Sequence, residues 1–388
     1  MLYYPITCTL STVTGPLQAG LNMELNLKKR LIFIGNIFLQ NRSFRDYIIR
    51  SVETDGIFLN SIDYYTETDR NFFDDLANRI KGEEKIYIAT TKKSFTLVGK
   101  LLCTLIDDKL ILKEQMLLPS QCETFGKESY LLDINGCHIN VLQLQESKEI
   151  PELLINSASA KQTLHFFETP INEVIEHLEP LARQFDVELA FSQIVENWVE
   201  TQVLCKTFGS IEKFMKIAKE RHPDNVIVAK ELVQHIIDSL LATHRKITLA
   251  ESCSGGLLAY YFTARAGVSS VFEGSLVTYS NILKENWLAV ESTTLSDHGA
   301  VSEEVVSEMS EGALKVANAD YALAISGVAG PDGGSPQKPV GTVVIGVRSK
   351  SYEKVTRYRF DGDRNYIQHQ SALTALKMLV LADKNVFF

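Results

Sequence analysis

Ser252, Cys253 and Ser254 stand between Glu251 and the pair Gly255-Gly256 in the run Ile247-Thr-Leu-Ala-Glu-Ser-Cys-Ser-Gly-Gly256. A serine hydroxyl can attack a carbonyl once a base takes its proton, and glycines remove the Cβ atoms that keep a ligand from the backbone. Further on, Thr278-Tyr-Ser-Asn-Ile-Leu-Lys284 sets Tyr279 at a strand end and Lys284 in the opening turns of a helix. Lysine acts as a general base only where desolvation or a nearby cation lowers its pKa from about 10.4. Serine, tyrosine and lysine together would give amidase chemistry without histidine. The plain alternative is a solvated lysine beside a tyrosine at a strand end.

A third group is the loop Gly327-Val-Ala-Gly-Pro-Asp-Gly-Gly-Ser-Pro-Gln-Lys-Pro339. Gly327, Gly330, Gly333 and Gly334, with Asp332, could turn several backbone N–H groups toward a phosphate or polar ligand. A long turn-rich connection is the alternative, but loops of this length inside a compact domain tend to be functional. Arg364, in Asp361-Gly-Asp-Arg364, opens a helix and suits bidentate phosphate contact. His298 reads as structural, because no second histidine or carboxylate stands at metal-ligand spacing from it.

The elements that must position these residues follow from hydrophobic period. Ile247 and Leu249 alternate with Lys246 and Thr248 as in a half-buried strand, and Leu257, Leu258, Tyr261 and Phe262 then recur at helical spacing. Residues 252–256 therefore fall at a helix N-terminus, where unpaired N–H groups favour an anion or simply a serine cap. Strands are expected over 272–279, 321–326, 342–347 and 354–360. Helices are expected around Leu232–Leu241, over Asn281–Leu288, after a Ser302 cap, and at Ile367–Leu379.

Upstream, Leu31–Gly35, Gly56–Leu59 and Lys85–Ala89 read as strands alternating with helices around Phe44–Val52 and Phe72–Ile80, as in a parallel α/β sheet. Ligand sites in such sheets lie past the strand ends, here the turns Asn36–Asn41 and Thr90–Phe95, neither glycine-rich nor acidic. Residues 164–220 give a β-α-β-β-α unit whose first helix Pro180 should bend or split. Its order is similar to KH-type modules, but the G-x-x-G clamp for a nucleic-acid backbone is absent, which favours a spacer role.

With 388 residues and 45% hydrophobic content, the chain can hold two or three cored domains. A net charge of -9 leaves no basic footprint for duplex nucleic acid or an anionic membrane. Cys8, Cys103, Cys122, Cys137, Cys205 and Cys253 form no C-x-x-C pair or metal spacing, which suits a reducing compartment without structural zinc. Neither a membrane span nor a signal peptide is apparent, so a cytoplasmic location is expected. Residues 1–23 read as a disordered tail.

Taken as an ordered set, Ala250–Gly256, Val277–Asn281 with Lys284, His298–Ser302, Ile325–Gly334, Lys338–Thr342 and Gly362–Arg364 resemble the CinA C-terminal domain. The resemblance covers residues 223–388 and implies a nicotinamide-nucleotide amidase that needs no cofactor or metal. Such an enzyme hydrolyses nicotinamide mononucleotide to nicotinic acid mononucleotide and ammonia, in pyridine nucleotide salvage. The whole chain is similar to full-length CinA proteins. That implies a multidomain α/β fold: a molybdopterin-binding-like domain over 24–155, a KH-like α+β linker over 160–222 and the α/β C-terminal domain.

The resemblance places Ser252 and Ser270 at the family's two serine positions near the reacting amide, and Tyr279 and Lys284 at its tyrosine and lysine. It favours Ser270 as nucleophile, whereas spacing alone does not choose between the serines. Glu251, Gly255, Gly256, Ser326, Gly327, Gly330, Asp332, Gly333 and Arg364 would hold the nucleotide and its phosphate. The first domain departs from the family: Thr91-Lys-Lys-Ser-Phe-Thr-Leu97 replaces a glycine-rich stretch followed by aspartates that is associated with metal-dependent ADP-ribose pyrophosphatase activity. A divalent metal is not expected there, and that activity is in doubt. The expected partner is a small nucleotide substrate, not a membrane or nucleic acid, and the chain is expected to form a homo-oligomer. The competing reading is a non-enzymatic nucleotide-binding or interaction module linked to competence.

Overall fold

The computed structural model describes residues 28–53, 59–80, 84–155, 161–205 and 209–388. The expected tail over 1–23 lies outside them, as do residues 56–58 of the expected second strand. Contacts divide the chain into two compact units, Met1–Ala160 and Lys161–Phe388. The expected segments 160–222 and 223–388 both fall essentially within the second.

The first unit is built on a six-stranded sheet in the order β2-β1-β3-β8-β7-β6. Its strands are β1 (Lys28–Ile34), β2 (Ser61–Tyr65), β3 (Glu84–Thr90), β6 (Thr124–Gly126), β7 (Ser129–Ile134) and β8 (Cys137–Gln143), while β4 (Leu110–Lys113) and β5 (Met116–Pro119) form a separate hairpin. Strands β2, β1, β3 and β8 run parallel, whereas β7 and β6 are antiparallel. The alternation read from the sequence gives the parallel part, β2, β1 and β3, while β7 and β6 extend the sheet by antiparallel pairs whose short links leave no room for crossover helices. Helices α1 (Asn36–Gln40), α2 (Arg42–Glu53), α3 (Asn71–Arg79) and α4 (Lys92–Leu105) accompany the sheet. The expected site turns are therefore helix starts. Thr91 and Ser94 form a capping box on α4, and the Glu67 carboxylate receives the Thr91 hydroxyl at 3.0 Å and pairs with Lys93 at 2.9 Å.

The second unit begins with β9 (Lys161–Phe167), α5 (Ile171–Phe185), β10 (Val187–Val195), β11 (Trp198–Cys205), α6 (Ile211–Arg221) and β12 (Val226–Val228). The sheet order is β10-β11-β9-β12. Pro180 does not split its helix: α5 is continuous through it, with Val174, Leu178, Leu181 and Ala182 buried on the opposite face. The apolar stripe fixes the helix that the missing N–H would weaken.

The rest is one five-stranded sheet in the order β14-β13-β15-β16-β17. In chain order its elements are α7 (Leu232–Ala242), β13 (Ile247–Glu251), α8 (Leu257–Thr263), β14 (Phe272–Val277), α9 (Asn281–Leu288), α10 (Ser292–His298), α11 (Glu303–Ala317), β15 (Tyr321–Gly327), β16 (Thr342–Ser349), β17 (Glu353–Arg359), α12 (Arg364–Ala382) and α13 (Lys384–Phe387). Side-chain alternation sorts the two faces. Ile247, Leu249, Leu323, Ile325 and Ile345 meet α7, α8 and α12, while Ala250, Ala322, Ala324 and Val344 meet α9, α10 and α11. The first core also takes in Phe167, Val195 and Trp198, so both sheets of this unit share apolar packing. Strand β13 has parallel neighbours on both sides, with the chain passing first to β14 and later to β15. Its carboxyl end is thus a topological switch point, where open α/β sheets bind ligands.

Candidate active site

At that end β13 stops at Glu251, and the next residues turn sharply, with Gly255 and Gly256 at positive φ of 63° and 95° that side chains with a Cβ rarely adopt. The N–H groups of this turn can be followed one by one. Ser252 donates to the Ile325 carbonyl, Gly255 to that of Ser252, and Leu257 to that of Ser254. Gly256 and Leu258 donate to Glu251 Oε2 at 3.0 and 3.1 Å, and Ala259 to Oε1 at 2.9 Å. Ser275 Oγ donates to Oε1 as well. Glu251, fully buried, therefore caps α8 from inside the protein. Of the two readings of this helix start, a ligand anion or a serine cap, neither describes these donors, because the protein's own carboxylate takes them. These bonds also make Glu251 a structural residue rather than a ligand contact.

Lys284 enters the same turn from α9. Ser280 caps that helix, accepting from the Leu283 N–H, and Gly312 lets α11 approach closely, since an added Cβ would run into the Leu288 carbonyl. The lysine is 1% exposed. Its Nζ lies 3.1 Å from Ser252 Oγ and donates to the Thr278 carbonyl at 2.7 Å. Among the described residues no carboxylate pairs with it. Burial pushes the Lys284 pKa below the ordinary lysine value, with the Cys253 thiol acting weakly in the opposite sense. Burial also pushes the Cys253 thiol up to about 12, which leaves it an inert core group. A serine oxygen beside an amine whose charged form burial disfavours is an arrangement able to generate a nucleophile.

Ser270 does not join this pair. It ends a short 3-10 turn, Val268–Ser270, and is exposed beside His244, Arg245 and Lys246. Ile247 pairs with Phe272 and Glu251 with Val277, so Ser270 precedes β14 at the opposite end of the sheet. Roughly 15 Å of strand separates it from Ser252. Lys284 thus lies beside Ser252 and not beside Ser270, the serine that the resemblance favours.

Tyr279 is 62% exposed, and its hydroxyl accepts from Arg364 Nη2 at 3.0 Å. Arg364 Nη1 donates to the Gly330 carbonyl at 2.7 Å. The guanidinium is in this way a clasp between Tyr279 and the glycine-rich loop, and both Nη groups already have partners. The loop is held further by Lys338 Nζ, which donates to the His298 carbonyl at 2.6 Å. Gly330 has φ 82°, and its missing Cβ would lie 2.5 Å from a Val340 methyl. Gly333, at φ 90°, and Asp332 are exposed at the loop tip. Two expected ligand residues are structural here. Ser326 is buried and donates to the Ala300 carbonyl at 2.6 Å, and Gly327 makes room for the backbone of Thr342 and Val343.

Sequence reasoning named Ser254 and Thr278 without giving them a role and missed Gln368. The hydroxyls of Ser254 and Thr278 are buried without a hydrogen-bond partner, and Gln368 Nε2 donates to the Cys253 carbonyl at 2.7 Å. One signal existed for Gln368: it stands one helical turn after Arg364 and so shares its face of α12.

The family profile of the CinA C-terminal domain matches residues 229–382. The nicotinamide-nucleotide amidohydrolase PncC of Escherichia coli (strain K12) is 48% identical over 150 residues, which cover 38% of this chain and 91% of that protein. A CinA-like protein of Thermotoga maritima is 47% identical over 154 residues, 39% of this chain and 37% of that protein's length. The match thus spans little more than a third of the longer CinA-like relatives. Among solved structures, the competence damage-inducible protein A from Klebsiella pneumoniae subsp. pneumoniae MGH 78578 is 38% identical, with a TM-score of 0.37, covering 38% of this chain and 92% of that one. Through this C-terminal stretch, which carries the Ser252–Lys284 pair, the chain belongs to the CinA family.

Proposed function

We propose that the chain hydrolyses the amide of nicotinamide mononucleotide, with Ser252 as nucleophile and Lys284 as general base. The observation that carries this reading is a buried amine 3.1 Å from a serine oxygen with no carboxylate among the described residues to keep it charged. Neutral Nζ takes the Ser252 proton as Oγ bonds to the amide carbon. The proton then passes to the amide nitrogen, the C–N bond breaks, and ammonia leaves behind an acyl-serine ester. Water, deprotonated by the same amine, releases nicotinic acid mononucleotide and restores the hydroxyl. Similarity to an amidohydrolase named for nicotinamide nucleotides supports the choice of substrate. Tyr279, Arg364 and the Gly330 loop, joined through the Arg364 guanidinium, would take the ribose phosphate. Purified full-length protein incubated with nicotinamide mononucleotide should release ammonia and nicotinic acid mononucleotide in equal amounts. Absence of both products would refute the reading.

A further inference from the structure

The turn after β13 is gripped from both faces of its sheet. Lys284 reaches it from α9, which packs on one face, and Gln368 from α12, which packs on the other. The Gln368 amide donates to the Cys253 carbonyl at 2.7 Å, and a trans peptide points its N–H opposite to its C=O. Holding the Cys253 carbonyl toward α12 therefore turns the Ser254 N–H away from α12, the helix on the face opposite to the one that brings in Lys284.

That N–H, like that of Cys253, has no oxygen acceptor among the described residues, although the others in the turn are engaged: those of Ser252, Gly255 and Leu257 by carbonyls, and those of Gly256, Leu258 and Ala259 by Glu251. The hydroxyl of the same residue is also buried without a partner, at 3% exposure. A buried N–H and O–H left unpaired on one residue are costly unless something accepts from them. In amide hydrolysis the carbonyl oxygen gains negative charge as the serine attacks, and donors fixed in advance near that oxygen stabilise it.

We propose that Gln368 is a positioning residue: by anchoring the Cys253 carbonyl it presents the Ser254 N–H, together with the Ser254 hydroxyl, to the oxyanion formed when Ser252 attacks. The catalytic part of this inference rests on the amidase reading above, while the anchoring of the peptide does not.

The test is Gln368→Met in the full-length chain, a change close in volume that removes the donor. Turnover of nicotinamide mononucleotide should fall by about tenfold or more while KM stays within about twofold, because the lost interaction belongs to the transition state. A second readout needs no substrate. Cys253-Ser254 is the one Cys-Ser step in the sequence, so carbonyl-13C cysteine with 15N serine yields a single NMR correlation from that peptide. Gln368→Met should displace or split this signal with the rest of the spectrum preserved. Wild-type turnover in Gln368→Met overturns the proposal, as does an unmoved correlation. A wild-type chain that releases no ammonia refutes the amidase reading instead. The correlation then decides the anchoring by itself, displacement supporting it and constancy overturning it.

Discussion

Lys284 brings its amino group into the protein with a serine hydroxyl and a carbonyl as hydrogen-bond partners, and its titration follows from that. Burial lowers the folded-state pKa below the unfolded value of about 10.4. Between the two values the unfolded chain binds more protons, so this group adds stability as pH rises across that window and costs stability at neutral pH. Turnover should accordingly rise with pH through an apparent pKa lower than that of a free lysine. Lys284→Arg, which cannot deprotonate, should lose about 10²-fold or more in turnover at every pH tested. A rate within a few-fold of wild type in that variant would make Lys284 a substrate anchor rather than a base.

At the scale of the element, α8 owes its start to a residue outside it. Three of its four opening donors, those of Gly256, Leu258 and Ala259, are received by Glu251, whose carboxylate also accepts from Ser275 Oγ. Glu251→Ala would bury these N–H groups without partners and should cost about 3 kcal/mol or more in urea unfolding. A loss below about 1 kcal/mol would show that the turn rearranges to cap itself. This arrangement also marks how far the sequence could be read. Strand, turn and helix were legible from Ile247, Leu249 and the spacing of Leu258, Tyr261 and Phe262, because hydrophobic period reports burial directly. The direction of the Glu251 side chain was not, since an acidic residue before Ser-Cys-Ser is equally consistent with a ligand contact. Likewise the pair Ser252–Lys284 could be suspected from residue types, but its selection over Ser270 needed the register of β13 with β14. Pro180 misled for a related reason: local propensity forecasts a break, and the buried stripe of α5 overrides it.

At the scale of the molecule, the segment before residue 229 contributes to the packing of the second unit. Phe167, Val195 and Trp198 belong to the same core as α7 and α12. His165, fully buried, accepts from Trp198 Nε1 at Nδ1 and donates from Nε2 to the Ala229 carbonyl at 3.0 Å, which places it in the neutral form. Burial holds its pKa below the ordinary histidine value. The unfolded chain takes up that proton first, so stability contributed by neutral His165 is present above about pH 6.5 and is lost as pH falls toward the folded value. A fragment of residues 229–388 should keep the turnover of the full chain but melt at lower temperature and lack this His165-dependent loss. Equal melting temperatures would show that the shared core adds nothing.

In the first unit, Glu67 turns toward Thr91 and Lys93 at the end of β3. We expect that unit to make no AMP from ADP-ribose with divalent metal at a rate typical of enzymes, and efficient AMP production would overturn that expectation.

The central claim is that amide hydrolysis runs through Ser252 rather than Ser270, and one comparison addresses it most directly: ammonia release from nicotinamide mononucleotide by wild type, Ser252→Ala and Ser270→Ala. Ser252→Ala should lose turnover by about 10³-fold or more, on the scale seen when a catalytic nucleophile is removed, while Ser270→Ala stays within a few-fold of wild type. An inactive Ser270→Ala beside an active Ser252→Ala would contradict the account.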